Sequence, residues 1–180
     1  MKIIYCDGSS LGNPGRGGYA VVALDTEKKL IWEYGGVQNP ATNNQMELAS
    51  CIAALKIISK SLDKPVSENI APQKIPTVFY ELRFDSKYVL QGVTEWSKNW
   101  VKNNWKTAQK KPVLNKELWQ EILRLIEEIE GKSAGKKNIL KWTHVYGHNN
   151  ERWNERADEI ARGLAGGEKI ILRNGEKYED

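Results

Sequence analysis

Residues 2–34 hold three β-patterned runs with no helix-length stretch between them, and this limits the fold more than any other feature of the chain. The runs are KIIYCD (2–7), GYAVVAL (18–24) and KKLIWEY (28–34). The first connection is rich in glycine, and the second is centred on Asp25, Thr26 and Glu27. Strands joined this way form an antiparallel meander, because a parallel neighbour needs a long crossover. Beyond residue 41 the chain alternates helix and strand. Thr42-x-x-Gln45 reads as a capping box and predicts a helix over 43–59. TVFYELRFD (77–85) predicts a fourth strand ending at Asp85, and NILKWTHVY (138–146) a fifth. A short helix is expected after Ser86, and another over 95–104. A longer helix begins near Asn115, with Leu118, Ile122, Leu125, Ile126 and Ile129 on one face and Gly131 as its stop. The last helix covers 152–164. Strands separated by helices favour parallel pairing. The expected architecture is α/β: a mixed five-stranded sheet, strands one to three antiparallel, four and five parallel, helices on both faces.

At 180 residues the chain fits one domain with a sizeable core. The domain is expected over 1–165, with an extended surface loop at 60–76 around Pro65, Pro72 and Pro76, and a tail over 166–180. Asn174-Gly175 would turn a small hairpin in that tail. No apolar run approaches the length of a membrane span, and Asp7 interrupts the opening residues too early for a secretory signal. Cys6 and Cys51 are isolated, so a reducing, cytoplasmic setting is expected, without a disulfide framework or a Cys-based zinc site.

The glycines around 8–18 do not make a nucleotide loop, because Gly15-Arg16-Gly17-Gly18 leads into β alternation where the dinucleotide fingerprint requires a helix. The carboxylates are more informative. Asp7 and Asp85 end strands one and four, and meet at one sheet edge if those strands are parallel neighbours. Glu47 lies one turn into the first helix, and Asp158 lies early in the last. Each alone has an ordinary reading as a turn or solvated residue. Together they would repel unless a cation sat between them. Mg²⁺ takes such oxygen ligands, and two ions roughly 4 Å apart can activate a water and stabilise a leaving oxygen in phosphodiester cleavage.

DGSSLGNPGRGGYAVV, TNNQMELAS, FDSKYVLQGVTEW and HVYGHNNERWNERADEIAR, in this order, resemble the successive motifs of bacterial type 1 ribonuclease H. The resemblance covers residues 2 to about 165. It implies an endonuclease that hydrolyses the RNA strand of RNA–DNA hybrids, leaving 5′-phosphate and 3′-hydroxyl ends. It implies two Mg²⁺ ions, with Mn²⁺ as an alternative, held by Asp7, Glu47, Asp85 and Asp158. It further implies that Asp7 bridges the ions, that Glu47 and Asp85 serve the leaving-group side, and that Asp158 serves the water side. His148 matches a loop histidine that assists proton transfer or product release. Asn13, Asn43 and Asn44 match positions that contact the hybrid, and Thr42 adjoins them. Gly8 would leave space beside Asp7. Lys87 departs from the family's usual Gln and could contact phosphate instead. The loop at 60–76 and the stretch Asn149–Trp153 depart from the pattern too.

WVKNNWKTAQKKPVLNKELWQEI resembles the basic protrusion of bacterial members, expected here over 95–116. Lys102, Lys106, Lys110 and Lys111 would neutralise phosphates. Trp96, Trp100 and Trp105 interleave with them, either to pack on nucleic acid or to form the protrusion's own core. Trp119 belongs to the apolar helix face. The expected partner is a hybrid duplex, met by a monomer with no obligatory protein partner and no membrane. Two alternatives stand beside this reading. A non-catalytic hybrid-binding module would lack one or more acids, and all four are present. Another nuclease on the same fold would usually show D-x-E on strand one, where Asp7 is followed by Gly8 and Ser9.

Overall fold

The computed structural model describes residues 1–63, 79–133, 139–146 and 151–179. The meander forms as expected, from β1 (Lys2–Gly12), β2 (Gly15–Asp25) and β3 (Leu30–Ala41). After α1 (Asn43–Leu62) come β4 (Tyr80–Phe84), α2 (Lys87–Gln91), a π-helical turn (Gly92–Trp96) and α3 (Ser97–Lys102). The chain closes with α4 (Lys116–Lys132), β5 (Leu140–His144), α5 (Arg152–Gly166) and β6 (Asn174–Lys177). Strand order is β5-β4-β1-β2-β3-β6. β4 runs parallel to both β1 and β5, and the other pairings are antiparallel. The α/β class and the mixed topology agree with the sequence expectation. No helix among the described residues is long and apolar enough to cross a membrane.

Several boundaries differ. β1 does not end at Asp7 but continues to Gly12, because Asp7 through Gly12 keep pairing with β2. The sheet has a sixth strand: Asn174 and Gly175 lie in β6 on the edge of β3 and do not turn a separate hairpin. Gly131 lies inside α4 and does not stop it. The two helices expected after Ser86 are joined end to end through the π turn. Residues 64–76 of the expected loop, and the opening residues 77 and 78 of the fourth-strand motif, lie outside the described residues.

Two cores flank the sheet. On one face Ile4, Cys6, Val21, Leu82 and Phe84 pack against Leu48, Leu55 and Ile58 of α1 and against Trp119, Ile122 and Ile129 of α4. On the other, Tyr5, Ala20, Val22, Leu24 and Ile31 meet Ala157, Ile160 and Ala161 of α5. That second contact is close. A Cβ on Gly18 would lie 2.4 Å from the Ala161 carbonyl oxygen, so only glycine admits α5 at this height.

Candidate active site

The β1–β4 ladder places the first two acids. Its last rung pairs Cys6 with Phe84, so Asp7 and Asp85 are the next residues along two neighbouring parallel strands. α1 brings the third. A Cβ on Gly8 would lie 2.2 Å from the backbone nitrogen of Glu47. The missing side chain therefore admits the helix backbone itself, a different use of the space from the one expected beside Asp7. The capping box holds the start of α1: the Gln45 N–H donates to Thr42 Oγ1 at 3.3 Å, and the Thr42 N–H donates to Gln45 Oε1 at 2.8 Å. Carboxylate oxygens of Asp7, Glu47 and Asp85 consequently lie within 4.8 Å of one another.

Asp7 and Glu47 are buried, and Asp85 is half-buried. Burial, then the Asp85 charge, then that of Asp158, push the Asp7 carboxyl up to about 8. Burial and the Asp7 and Asp85 charges push Glu47 well up also. A hydrogen bond from the Gly8 backbone opposes the shift at both. Glu47 Oε2 is buried with no hydrogen-bond partner. An all-oxygen donor set, mutual repulsion and an orphaned carboxylate oxygen fit a hard divalent cation, which would relieve all three.

Asp158 lies outside this trio but near enough to act on Asp7. Its carboxylate pairs with Arg162 at 2.8 Å, one turn further along α5. The charge of Arg162 also eases Asp7. Sequence reading passed over Arg162, although its i,i+4 spacing from Asp158 was a visible signal. His148 lies outside the described residues.

The expected nucleic-acid contacts fall in two places. Asn13, at the tip of the β1–β2 hairpin, accepts a hydrogen bond from the Asn43 N–H at 3.3 Å, so the hairpin tip and the start of α1 form one surface. Asn44 is exposed beside it. Lys87 is exposed at the start of α2, two residues beyond Asp85. In the protrusion Lys102, Lys106, Lys110 and Lys111 are all exposed. The tryptophans pack inward. Trp100 lies 5.3 Å from Trp119 and 5.7 Å from Trp96, ring centre to ring centre, and Trp96 lies 6.2 Å from Tyr88. Trp105 packs against the same core. Each of the three keeps part of its surface open.

Carboxylates gathered where a parallel strand pairing ends and a helix starts, in a mixed α/β sheet, define a class of protein that presents a divalent-cation site. Residues 1–165 match the RNase H family profile, and the chain belongs to the type 1 ribonuclease H family. It is similar to a ribonuclease H of Thermosynechococcus vestitus, 41% identical over 96% of this chain and 94% of that one. Among solved structures it resembles LC9-RNase H1, a type 1 RNase H with the type 2 active-site motif, at TM-score 0.70 and 24% identity over 97% of this chain and 77% of that one. It also resembles LC11-RNase H1, solved in complex with RNA/DNA hybrid, at TM-score 0.56 and 25% identity over 90% of this chain and 94% of that one.

Proposed function

We propose that this chain is an endonuclease that hydrolyses the RNA strand of RNA–DNA hybrids, leaving 5′-phosphate and 3′-hydroxyl ends. The observation that carries this is the trio Asp7, Glu47 and Asp85, with oxygens within 4.8 Å of one another, in a chain of this family. Two Mg²⁺ ions, or Mn²⁺ in their place, would supply an activated water and neutralise charge on the leaving oxygen. The protein's part is to hold that charge in place. Asp7, central and buried, would help to hold both ions; Glu47 and Asp85 would hold the one on the leaving-group side, and Asp158 the one on the water side. His148 assists proton transfer or product release.

Binding is divided in the same way. Asn13, Thr42, Asn43 and Asn44 form the surface next to Asp7, where RNA differs from DNA by its 2′-hydroxyls, and buried Gly8 lets α1 close up beneath it. Lys87 contacts phosphate beside Asp85. The four protrusion lysines, with the open edges of Trp96, Trp100 and Trp105, hold the duplex at a distance from the chemistry. The free, buried thiols of Cys6 and Cys51 fit a reducing cytoplasm. The chain works as a monomer.

The test is incubation with a labelled hybrid, double-stranded RNA and single-stranded RNA, with and without Mg²⁺. Cleavage of the hybrid alone, and only with Mg²⁺, is expected. Equal cleavage of single-stranded RNA, or cleavage in excess EDTA, would overturn the proposal.

A further inference from the structure

One row of residues crosses the sheet just behind the acids. Register sets it as Thr143, Arg83, Tyr5, Val22 and Glu33, on β5, β4, β1, β2 and β3 in turn. Asp85 and Asp7 stand two residues further along β4 and β1, hence on the same face. That face carries α5, and the row grips the helix on both flanks.

On one flank Arg83 Nη1 donates to Glu151 Oε1 at 2.8 Å and to the Tyr5 hydroxyl at 2.6 Å. The Tyr5 hydroxyl in turn donates to Glu151. Glu81 steadies the guanidinium from behind: Arg83 Nε reaches its Oε1 at 3.1 Å, and Thr143 Oγ1 donates to the same oxygen at 3.0 Å. On the other flank Arg156 makes a two-pronged pair with Glu33, 2.9 Å on each prong, and the Glu33 side chain is fully buried. Glu151 is the residue just before α5, and Arg156 lies in its second turn. The helix is thus restrained at its entry and along its flank.

Beneath α5 the closest approach is made by small residues, Gly18 and Ala20 below and Ala157 and Ala161 above, with Val22, Ile31 and Ile160 packed around them. The polar grips at the flanks add directional restraint to this apolar contact. Glu151 spends its carboxylate on the sheet and caps none of its own helix's N–H groups. Asp158 lies in the second turn of the helix that Glu151 leads into.

We infer that Tyr5, Arg83 and Glu151, opposed by Glu33 and Arg156, form a two-sided clamp that fixes the roll of α5 and so sets Asp158 against Asp7 and Asp85. Tyr5, Arg83 and Glu151 are positioning residues: none belongs to the acid cluster. The inference rests on the reading of Asp158 as a member of the catalytic set.

The experiment uses the full chain as wild type, Arg83→Met, Glu151→Ala, Glu151→Gln and Asp158→Asn, with Glu151→Ala also combined with Asp158→Asn. Mn²⁺ is titrated into substrate-free protein by calorimetry, kcat and KM are measured on hybrid, and folding is followed by circular dichroism. Arg83→Met and Glu151→Ala are expected to weaken Mn²⁺ binding and lower kcat about tenfold, the scale on which residues behind a metal site act. KM should stay within about twofold. Glu151→Gln keeps an acceptor for Tyr5 and should recover most of the loss. Asp158→Asn should cost less when added to Glu151→Ala than when made alone. If Arg83→Met fails to fold, the Glu151 variants decide, because that side chain is 39% exposed. Wild-type Mn²⁺ affinity and turnover in folded Glu151→Ala would overturn the clamp, as would strict additivity with Asp158→Asn. Wild-type turnover in Asp158→Asn would overturn the catalytic reading of Asp158, and the purpose of the clamp with it.

Discussion

The two faces of the sheet are held by different physics. On the α1 and α4 face the contact is made by large apolar side chains. Trp119, Phe84, Leu48, Leu55, Ile58 and Ile122 are fully buried there, and interlocking shapes set the register of the helices. On the α5 face the closest contact is made by small residues, Gly18, Ala20, Ala157 and Ala161, with Val22, Leu24, Ile31 and Ile160 packed around them, and charged groups at the flanks add further fixing points. Large side chains confer stability and position together. Small ones permit close approach but leave position to be set by polar contacts. The acid cluster lies where the two regimes meet, with Glu47 arriving from α1 and Asp158 from α5.

The largest effect should come at that seam. Asp7→Asn is expected to lower cleavage on the order of 10³-fold or more, the scale on which charge-stabilising groups act. In EDTA at neutral pH it should raise the melting temperature, because the folded chain no longer has to hold Asp7 protonated against its free-state preference. Near-normal turnover would break the assignment of the centre. Next come the faces themselves, compared by urea denaturation. Trp119→Ala should cost about 3–5 kcal/mol through cavity formation. Glu33→Ala should cost about 3 kcal/mol by removing the buried carboxylate on which Arg156 and Arg173 converge, leaving Arg156 only Glu159 and the Ile171 carbonyl. Replacing Glu33 and Arg156 together with leucine should recover much of that second loss. Recovery by repacking is what separates a face fixed by charge from one fixed by shape. No recovery would erase the distinction.

A smaller effect is expected with pH. In the folded chain the Asp7 carboxyl is raised to about 8, against about 4 when unfolded. The folded state keeps a proton that the unfolded chain has already lost. Stability from this source is full below about pH 4, falls as pH rises and is gone above about 8. Glu47 acts in the same direction. Melting in EDTA should therefore weaken steadily from pH 5 to pH 8, and saturating Mg²⁺ should flatten the trend. The smallest effect on the fold should come from the protrusion. Alanine at Lys102, Lys106, Lys110 and Lys111 should change stability by about 0.5 kcal/mol or less. The same variant should raise KM more than it lowers kcat, and should make the salt dependence of binding shallower. An unchanged salt slope would mean that these lysines are only a solvated face.

Much of this was legible in the sequence because it is local. The meander follows from period-two alternation, and α1 from Thr42 and Gln45. The four acids could be named from motif order; the parallel pairing of β1 and β4 brings Asp7 and Asp85 together, and α1 adds Glu47. The features that stayed hidden depend on register between distant segments. β1 continues past Asp7 only because β2 is there to pair with it. β6 is a polar stretch, Asn-Gly-Glu-Lys, with no strand pattern of its own, and the edge of β3 makes it a strand. Arg83 reads as the polar member of an alternating strand. Nothing nearby in sequence reveals that Tyr5 lies beside it and Glu151 above it.

The seam also has a consequence for the order of synthesis. Asp158 leaves the ribosome 151 residues after Asp7 (158 − 7). At about 5–20 residues per second, the first acid waits several seconds or more for the last. A chain interrupted before α5 lacks Asp158. If Asp158 completes the catalytic set as proposed, a nascent chain that has not yet released α5 carries only three of its four acids and no assembled cutting centre.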